Sequence, residues 1–358
     1  MVCVSMAECT REQRKRRGAG RADEHWRTLS PASCAADALT EHISPAYAHL
    51  IAQAQGADAQ ALKRQVCFAP QERVVHACEC ADPLGEDRYC VTPFLVHQYA
   101  NRVLMLATGR CFSHCRYCFR RGFVAQRAGW IPNEEREKII TYLRATPSVK
   151  EILVSGGDPL TGSFAQVTSL FRALRSVAPD LIIRLCTRAV TFAPQAFTPE
   201  LIAFLQEMKP VWIIPHINHP AELGSTQRAV LEACVGAGLP VQSQSVLLRE
   251  VNDSVETLCT LFHALTCLGV KPGYLFQLDL APGTGDFRVP LSDTLALWRT
   301  LKERLSGLSL PTLAVDLPGG GGKFPLVALA LQQDVAWHQE REAFSARGID
   351  GAWYTYPF

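Results

Sequence analysis

The 358-residue chain has no run approaching the ~18 consecutive apolar residues that a membrane-crossing helix needs, so a helical span is excluded. Charge of one sign is missing too. Its 36 Lys and Arg against 34 Asp and Glu leave a net charge of +2, so no global field draws it to nucleic acid or to a membrane. The opening apolar stretch, Met1 to Ala7, is too brief for a secretory signal and runs into charges. A cytoplasmic location is therefore expected. Also missing are the paired CxxC clips, far apart, of a zinc ribbon. The 14 cysteines are spread along the chain, unlike a small secreted disulfide scaffold, and most are expected to be buried thiols or incidental surface ones. Cys78 and Cys80, one residue apart with no partner pair nearby, are read as incidental.

What is present is enough apolar residue, 48%, for a large core in one α/β domain or two smaller ones. Residues 1–25 read as a basic, solvated tail rather than a nucleic-acid arm, and no nucleic-acid partner is expected. Residues 26–100 read as short helices, including 46–55 and 59–65, and a proline-bearing wrapping segment. From there strand-like runs at 102–108, 151–155, 181–187, 211–217, 241–248 and 274–280 alternate with amphipathic stretches at 133–145, 164–178, 199–208, 225–237, 254–268 and 291–305. That alternation implies βαβ units and a parallel sheet, here an open, partial (β/α)6 barrel over 101–325 with a C-terminal segment, 326–358. In such barrels the chemistry gathers at the C-terminal ends of the strands. The unusual polar residues all fall there: Cys111 after the first strand, Gly156-Gly157-Asp158 after the second, Thr187-Arg188 after the third, His216 and His219 after the fourth. Gln244 lies in the fifth and Asp279 ends the sixth.

Cys111, Cys115 and Cys118 stand at CxxxCxxC spacing, and thiolates are good ligands for iron–sulfur clusters. Three of them hold three irons of a four-iron cube and leave the fourth open, a reactive rather than a closed site. The competing reading is three buried structural cysteines. Gly156 and Gly157 let backbone approach a ligand where a strand stops. His216 and His219, three apart on a strand end, face different ways and have no third ligand, so a hydrogen-bonding role is expected over a second metal. Asp316-Leu-Pro-Gly-Gly-Gly-Gly-Lys323 fails the register of a nucleotide P-loop. A lysine on a glycine loop between apolar neighbours suits a Schiff base.

CxxxCxxCxRR, GGDP, HxNHP, QSVLLRxVND and DxPGGGGK, in this order, resemble the lysine 2,3-aminomutase family of radical S-adenosylmethionine (SAM) enzymes, over about residues 90–330. The resemblance implies a [4Fe–4S] cluster on Cys111, Cys115 and Cys118 and SAM on the open iron, with Gly156, Gly157, Asp158 and His216 at its wall. It implies pyridoxal 5′-phosphate (PLP) on Lys323, with Arg102 and Gln244 in its cradle. Arg120 is implied to clamp the substrate carboxylate, and Asp279 with Asp316 to grip the lysine side-chain ammonium. An isomerase moving the amino group of L-lysine to give β-lysine follows, with an electron donor such as flavodoxin or ferredoxin and with self-association left open.

Departures from the family pattern are also legible. Gln98 stands where a second arginine is usual and Ser243 where an asparagine precedes Gln244, so an altered phosphate cradle is expected. The chain ends at Phe358 without the cysteine-bearing extension of the clostridial-type enzymes, and Ser254 replaces a further cysteine, so no intersubunit zinc site is expected. The compact length resembles the branch that supplies β-lysine to elongation factor P, whereas Asp279 with Asp316 resembles the free-lysine enzymes. Two rival readings keep the scaffold: the same machinery acting on glutamate or arginine, and a non-catalytic iron–sulfur protein.

Overall fold

The computed structural model describes residues 39–127, 129–338, 343–347 and 352–357. The basic tail at 1–25 and the first part of the expected helical segment lie outside them. The next part folds as expected into two helices, Pro45–Gln53 and Gly56–Val66. The first is started by the Ser44 side chain, which accepts from the Tyr47 N–H.

The expected wrapping segment contributes two antiparallel strands, β1 (Cys90–Thr92) and β2 (Leu95–Tyr99), laid on the edge of β3 (Arg102–Thr108). From β3 the chain runs through β4 (Glu151–Gly156), β5 (Ile182–Thr187), β6 (Val211–Pro215), β7 (Gln242–Val246), β8 (Lys271–Phe276) and β9 (Thr312–Leu317). Each of these is parallel to the one before, with β6 and β7 joined by the bridges Ile213–Val241 and His216–Gln244. The parallel run therefore has one strand more than the six expected: Thr312–Leu317 was too short to stand out beside the glycine-rich stretch after it. Helices Asn133–Arg144, Phe164–Arg175, Pro199–Glu207, Ser225–Gly236, Val255–Cys267 and Leu291–Arg304 fill the six crossovers.

Local chemistry starts these helices where they start. Ser163 and Gln166 form a reciprocal capping box, at 3.2 and 2.9 Å. Behind it Val167, Leu170, Phe171 and Leu174 repeat at helical spacing and are buried against the sheet. Fully burying each such side chain stabilises by roughly 1.5–3 kcal/mol before ordering costs. Ser254, noted for standing in place of a cysteine, caps Val255–Cys267 by accepting from the Thr257 N–H.

A short antiparallel strand, β10 (Gly322–Pro325), folds back on β9 with Lys323 opposite Asp316. Among the described C-terminal residues, Val335–His338, Ala343–Arg347 and Trp353–Pro357 form a separate antiparallel sheet. Parallel strands point their C-terminal ends one way, so Cys111, Gly156, Arg188, His216, Asp279 and Asp316 come to one rim.

Candidate active site

The cysteine loop leaves β3 and is stapled to the N-terminal segment. His114 donates its N–H to the His42 carbonyl, Arg116 its N–H to the Gln65 carbonyl, and Ser44 its N–H to Ser113 Oγ. Arg116 itself is wholly buried and makes a two-pronged pair with Glu72, at 2.8 and 2.6 Å; Arg121 reaches the same carboxylate at 3.0 Å. Cys111, Cys115 and Cys118 are all part-buried. Burial, then the neighbouring Cys118 and Cys115, hold the Cys111 thiol well above its ordinary pKa. Burial and then Cys115 push Cys118 up to about 11. Cys115 Sγ accepts from Arg188 Nη1 at 2.9 Å. Two thiols raised by burial and by their cysteine neighbours, with a third held by a guanidinium, form a set that a cationic cluster would deprotonate. Among the described residues no three His, Cys, Asp or Glu side chains converge on a single metal ion. A cube of irons spreads its cysteine ligands over separate corners, wider than a mononuclear site.

Gly156 and Gly157 are needed for close approach, but the approach is to backbone. Gly156 has φ 124°, and a Cβ there would lie 2.3 Å from the Thr108 carbonyl oxygen; one on Gly157 would lie 2.0 Å from that of Arg110. Gly157 and Asp158 donate their N–H groups to those two carbonyls, both at 2.6 Å. The glycines thus lock the end of β4 to the entry of the cysteine loop. The Asp158 carboxylate, expected at the cofactor, is spent on protein donors: the Leu160 and Arg188 N–H groups and the Thr187 hydroxyl. It is a strut between β4 and β5.

At the β6 rim, His216 Nε2 lies 3.0 Å from the Tyr117 hydroxyl, which accepts from Asn218 Nδ2 at 2.7 Å. Burial, then Arg188, depresses His216 to about 3, so it is a neutral imidazole whose bond with Tyr117 ties the cysteine loop to the barrel. His219 caps the next turn, its Nδ1 accepting from the Ala221 N–H, in keeping with a non-metal role. Gln244 bridges to His216 across β6 and β7. Ser243 alternates to the opposite face of its strand and is buried with its hydroxyl unpaired, so it does not line the rim beside Gln244.

Across the opening, the β9–β10 pairing sets Lys323 Nζ 3.0 and 3.1 Å from the Asp316 carboxylate oxygens. Lys323 is on a strand and not on the glycine stretch, which forms the turn before it, with Gly319, Gly320 and Gly322 at positive φ. That turn is braced: Tyr89 Oη and Gln98 Nε2 donate to the Gly320 carbonyl, and the Lys323 N–H donates to Tyr99 Oη. Gln98, where a second arginine was expected, is thus a brace. Lys323 Nζ lies 3.8 and 5.2 Å from the ring centres of Phe276 and Tyr274, which stack on one another. Burial lowers its pKa, Asp316 opposes that, and Arg102 adds to the lowering. Arg102 itself packs 3.6 Å over the Tyr99 ring. Asp279, three residues beyond β8, is pushed up to about 7 by burial and then by Asp316, with Lys323 and Arg120 pulling the other way.

Arg120 faces Asp279 and Cys118, and its fork is filled by Glu86 at 2.5 and 2.6 Å. Sequence reasoning passed over Glu86 and Glu72, both in the wrapping segment, and over Glu222, whose buried carboxylate pairs with Arg188 and accepts from Tyr47 Oη at 2.9 Å. Arg188 was visible as a strand-end residue; the three acids carried no spacing signal.

This rim thus combines a thiol triplet with an amine, two acids and a guanidinium. The Radical SAM superfamily model matches residues 105–262, from inside β3 to inside the helix before β8. The chain is 99% identical over 355 residues to a protein of Treponema pallidum (strain Nichols), covering 99% of this chain and all of that one, whose own assignment as an L-lysine 2,3-aminomutase is provisional. It is 37% identical to the L-lysine 2,3-aminomutase of Fusobacterium nucleatum, over 81% of this chain and 68% of that enzyme. It is 34% identical to the L-lysine 2,3-aminomutase of Escherichia coli (strain K12), over 76% and 79%. The chain belongs to the lysine 2,3-aminomutase family. As a radical-SAM aminomutase-family isomerase it draws on a [4Fe–4S] cluster and SAM, and the expected partial barrel is its core. No described helix is long and apolar enough to cross a membrane.

Proposed function

We propose that the chain is a PLP-dependent L-lysine 2,3-aminomutase interconverting L-α-lysine and β-lysine. The observation that supports this best is the shared rim, where Lys323, Asp316, Asp279 and Arg120 face the side of the barrel that carries the cysteine loop. Cys111, Cys115 and Cys118 would hold three irons of the cluster. The Gly156–Gly157 backbone and His216 would wall SAM, with Asp158 acting through the loop it braces, and Gln244 would line the PLP cradle. Lys323 would carry PLP between Arg102 and the Tyr274 and Phe276 rings. When bound, the cluster with SAM supplies hydrogen-atom abstraction, and PLP supplies the carbonyl that carries a migrating amino group.

The chain's own residues do the rest. Burial holds a larger share of Lys323 as the free amine, the nucleophilic form, than an exposed lysine has. Asp279 and Asp316, close enough to repel one another, suit one ammonium between them, and Arg120 offers a fork to a carboxylate at the other end. An apolar side chain in place of the ammonium would leave both acids unpaired, so discrimination against leucine or methionine is large. Glutamate would set a third carboxylate against the same two acids; arginine remains the competitor to test. The acid pair fits free lysine, with elongation factor P modification as one use of the β-lysine, and a flavodoxin or ferredoxin would supply the electron.

Anaerobic reconstitution with iron, sulfide and PLP, followed by SAM, a strong reductant and either L-lysine or L-arginine, tests the reading. β-Lysine from lysine, at a kcat/KM far above any β-arginine, is the expected result. Faster turnover of arginine, or no amino migration by protein with a full cluster, would overturn it.

A further inference from the structure

Arg120 is not waiting with an empty fork. Its Nη1 and Nη2 each donate to one oxygen of Glu86, at 2.5 and 2.6 Å, in the parallel geometry by which guanidinium binds carboxylate. The two side chains are only 12% and 17% exposed. We propose that Glu86 is the resting occupant of Arg120, an internal carboxylate that the substrate's carboxylate must displace, and that it thereby sets the affinity of the site for an amino acid. This rests on the assignment of Arg120 to the substrate carboxylate.

The surroundings favour an exchange over a shared fork. The Nη1–Nη2 edge of Arg120 is used, so a second carboxylate would be left the Nε side of a guanidinium that already faces Glu86 and Asp279. Arg120 also packs 4.7 Å from the Phe119 ring centre, which closes one face of its plane. The backbone that carries Glu86 cannot move aside easily. Asp82 accepts from the Glu86 and Asp87 N–H groups at 2.9 and 3.1 Å. Gly85, at φ 62°, sits so close to the lysine turn that a Cβ would lie 2.4 Å from the Gly320 nitrogen. Glu86 therefore leaves by rotating its side chain toward solvent, and the turn beside Lys323 stays in place.

An occupant and a helper give opposite signs on removal. If Glu86 competes, removing its charge tightens substrate binding; if it only orients Arg120, removal loosens it. The test is calorimetric titration of anaerobically reconstituted holoenzyme, without reductant so that nothing turns over, using L-lysine and 1,5-diaminopentane, which lacks the carboxylate. Glu86→Gln should bind lysine roughly tenfold more tightly, the scale of one charge-assisted contact freed from competition, with diaminopentane changed by less than about twofold. Glu86→Asp, too short to keep both bonds, should also tighten lysine binding, by less. Lysine affinity unchanged or weaker in both variants, at wild-type iron content and melting temperature, overturns the inference. Arg120→Ala separates the two layers. Loss of lysine affinity with diaminopentane unaffected upholds Arg120 as the carboxylate site whatever Glu86 does, whereas undiminished lysine affinity removes that assignment and the inference with it.

Discussion

Glu72 is the acid on which the cysteine loop hangs, and its removal should be costly. Its side chain is 2% exposed, and it is shared by Arg116 at 2.6 Å and Arg121 at 3.0 Å, the two arginines that bracket Cys118 and Arg120. Glu72→Ala would leave two guanidiniums in a dry site without their counter-charge, and breaking a buried pair in this way typically costs about 3–5 kcal/mol. Some donors keep partners. Arg116 Nη1 reaches the Leu39 carbonyl at 3.0 Å, and Arg121 Nη1 that of Pro282 at 2.6 Å, which argues for the lower half of that range. At roughly 2–3 °C per kcal/mol for a chain of this size, the melting temperature should fall by roughly 6–12 °C. Glu72→Gln, which keeps an acceptor and loses the charge, should fall by about half as much. Scanning calorimetry of the metal-free protein measures this, and iron per chain after reconstitution should drop in step, because Arg116 lies inside the cysteine loop. A melting temperature within about 2 °C of wild type for Glu72→Ala would refute the reasoning.

Asp279 is neutral below about 7 and charged above, so kcat/KM for lysine should rise through that pH, and Asp279→Asn should lose both the activity and that limb of the profile. Because burial raises this acid from 3.8, its ionisation costs the substrate-free fold stability as pH climbs to about 7, and Asp279→Asn should melt higher than wild type at pH 8. Gly156→Ala would force a side chain into the Thr108 carbonyl at an unfavourable φ, so reconstitution should yield well under half the wild-type iron, read by colorimetric assay. Lys323→Ala should abolish borohydride-fixed PLP on the tryptic peptide while iron content stays within about a fifth of wild type, since Lys323 pairs with Asp316 and not with the cysteine loop.

What could be read from the chain alone were features whose residues are neighbours in sequence. The alternation of apolar runs and amphipathic stretches placed the strands and helices, because period and length are local properties. The thiol triplet and the lysine after the glycines were legible for the same reason. Strand ends were less so: β8 stops at Phe276, and Asp279 stands three residues past it. The seventh parallel strand was hidden by its own turn, and the pairing of Lys323 with Asp316 is a cross-strand relation that no spacing rule for loops supplies. Glu72 and Glu86 were invisible because each meets its arginine across 44 or 34 residues of chain without periodic pattern. Asp158 and Gly156 were legible by location but their contacts with Thr187, Arg188 and the Thr108 carbonyl were not, since a turn that faces a ligand and one that faces its neighbour's backbone share the same sequence. Ser243 leaves the rim for a simpler reason, the twofold alternation of a strand.

The account requires that the thiol triplet and the Lys323 pocket open on one space. L-Lysine deuterated at C3, given to the reconstituted, reduced enzyme with SAM, tests that requirement directly. Deuterium recovered in 5′-deoxyadenosine, and lost from it in Asp279→Ala or Arg120→Ala, is the predicted result. 5′-Deoxyadenosine formed at the same rate without lysine, and carrying no deuterium when lysine is present, would mean that the two halves of the rim do not work on one molecule.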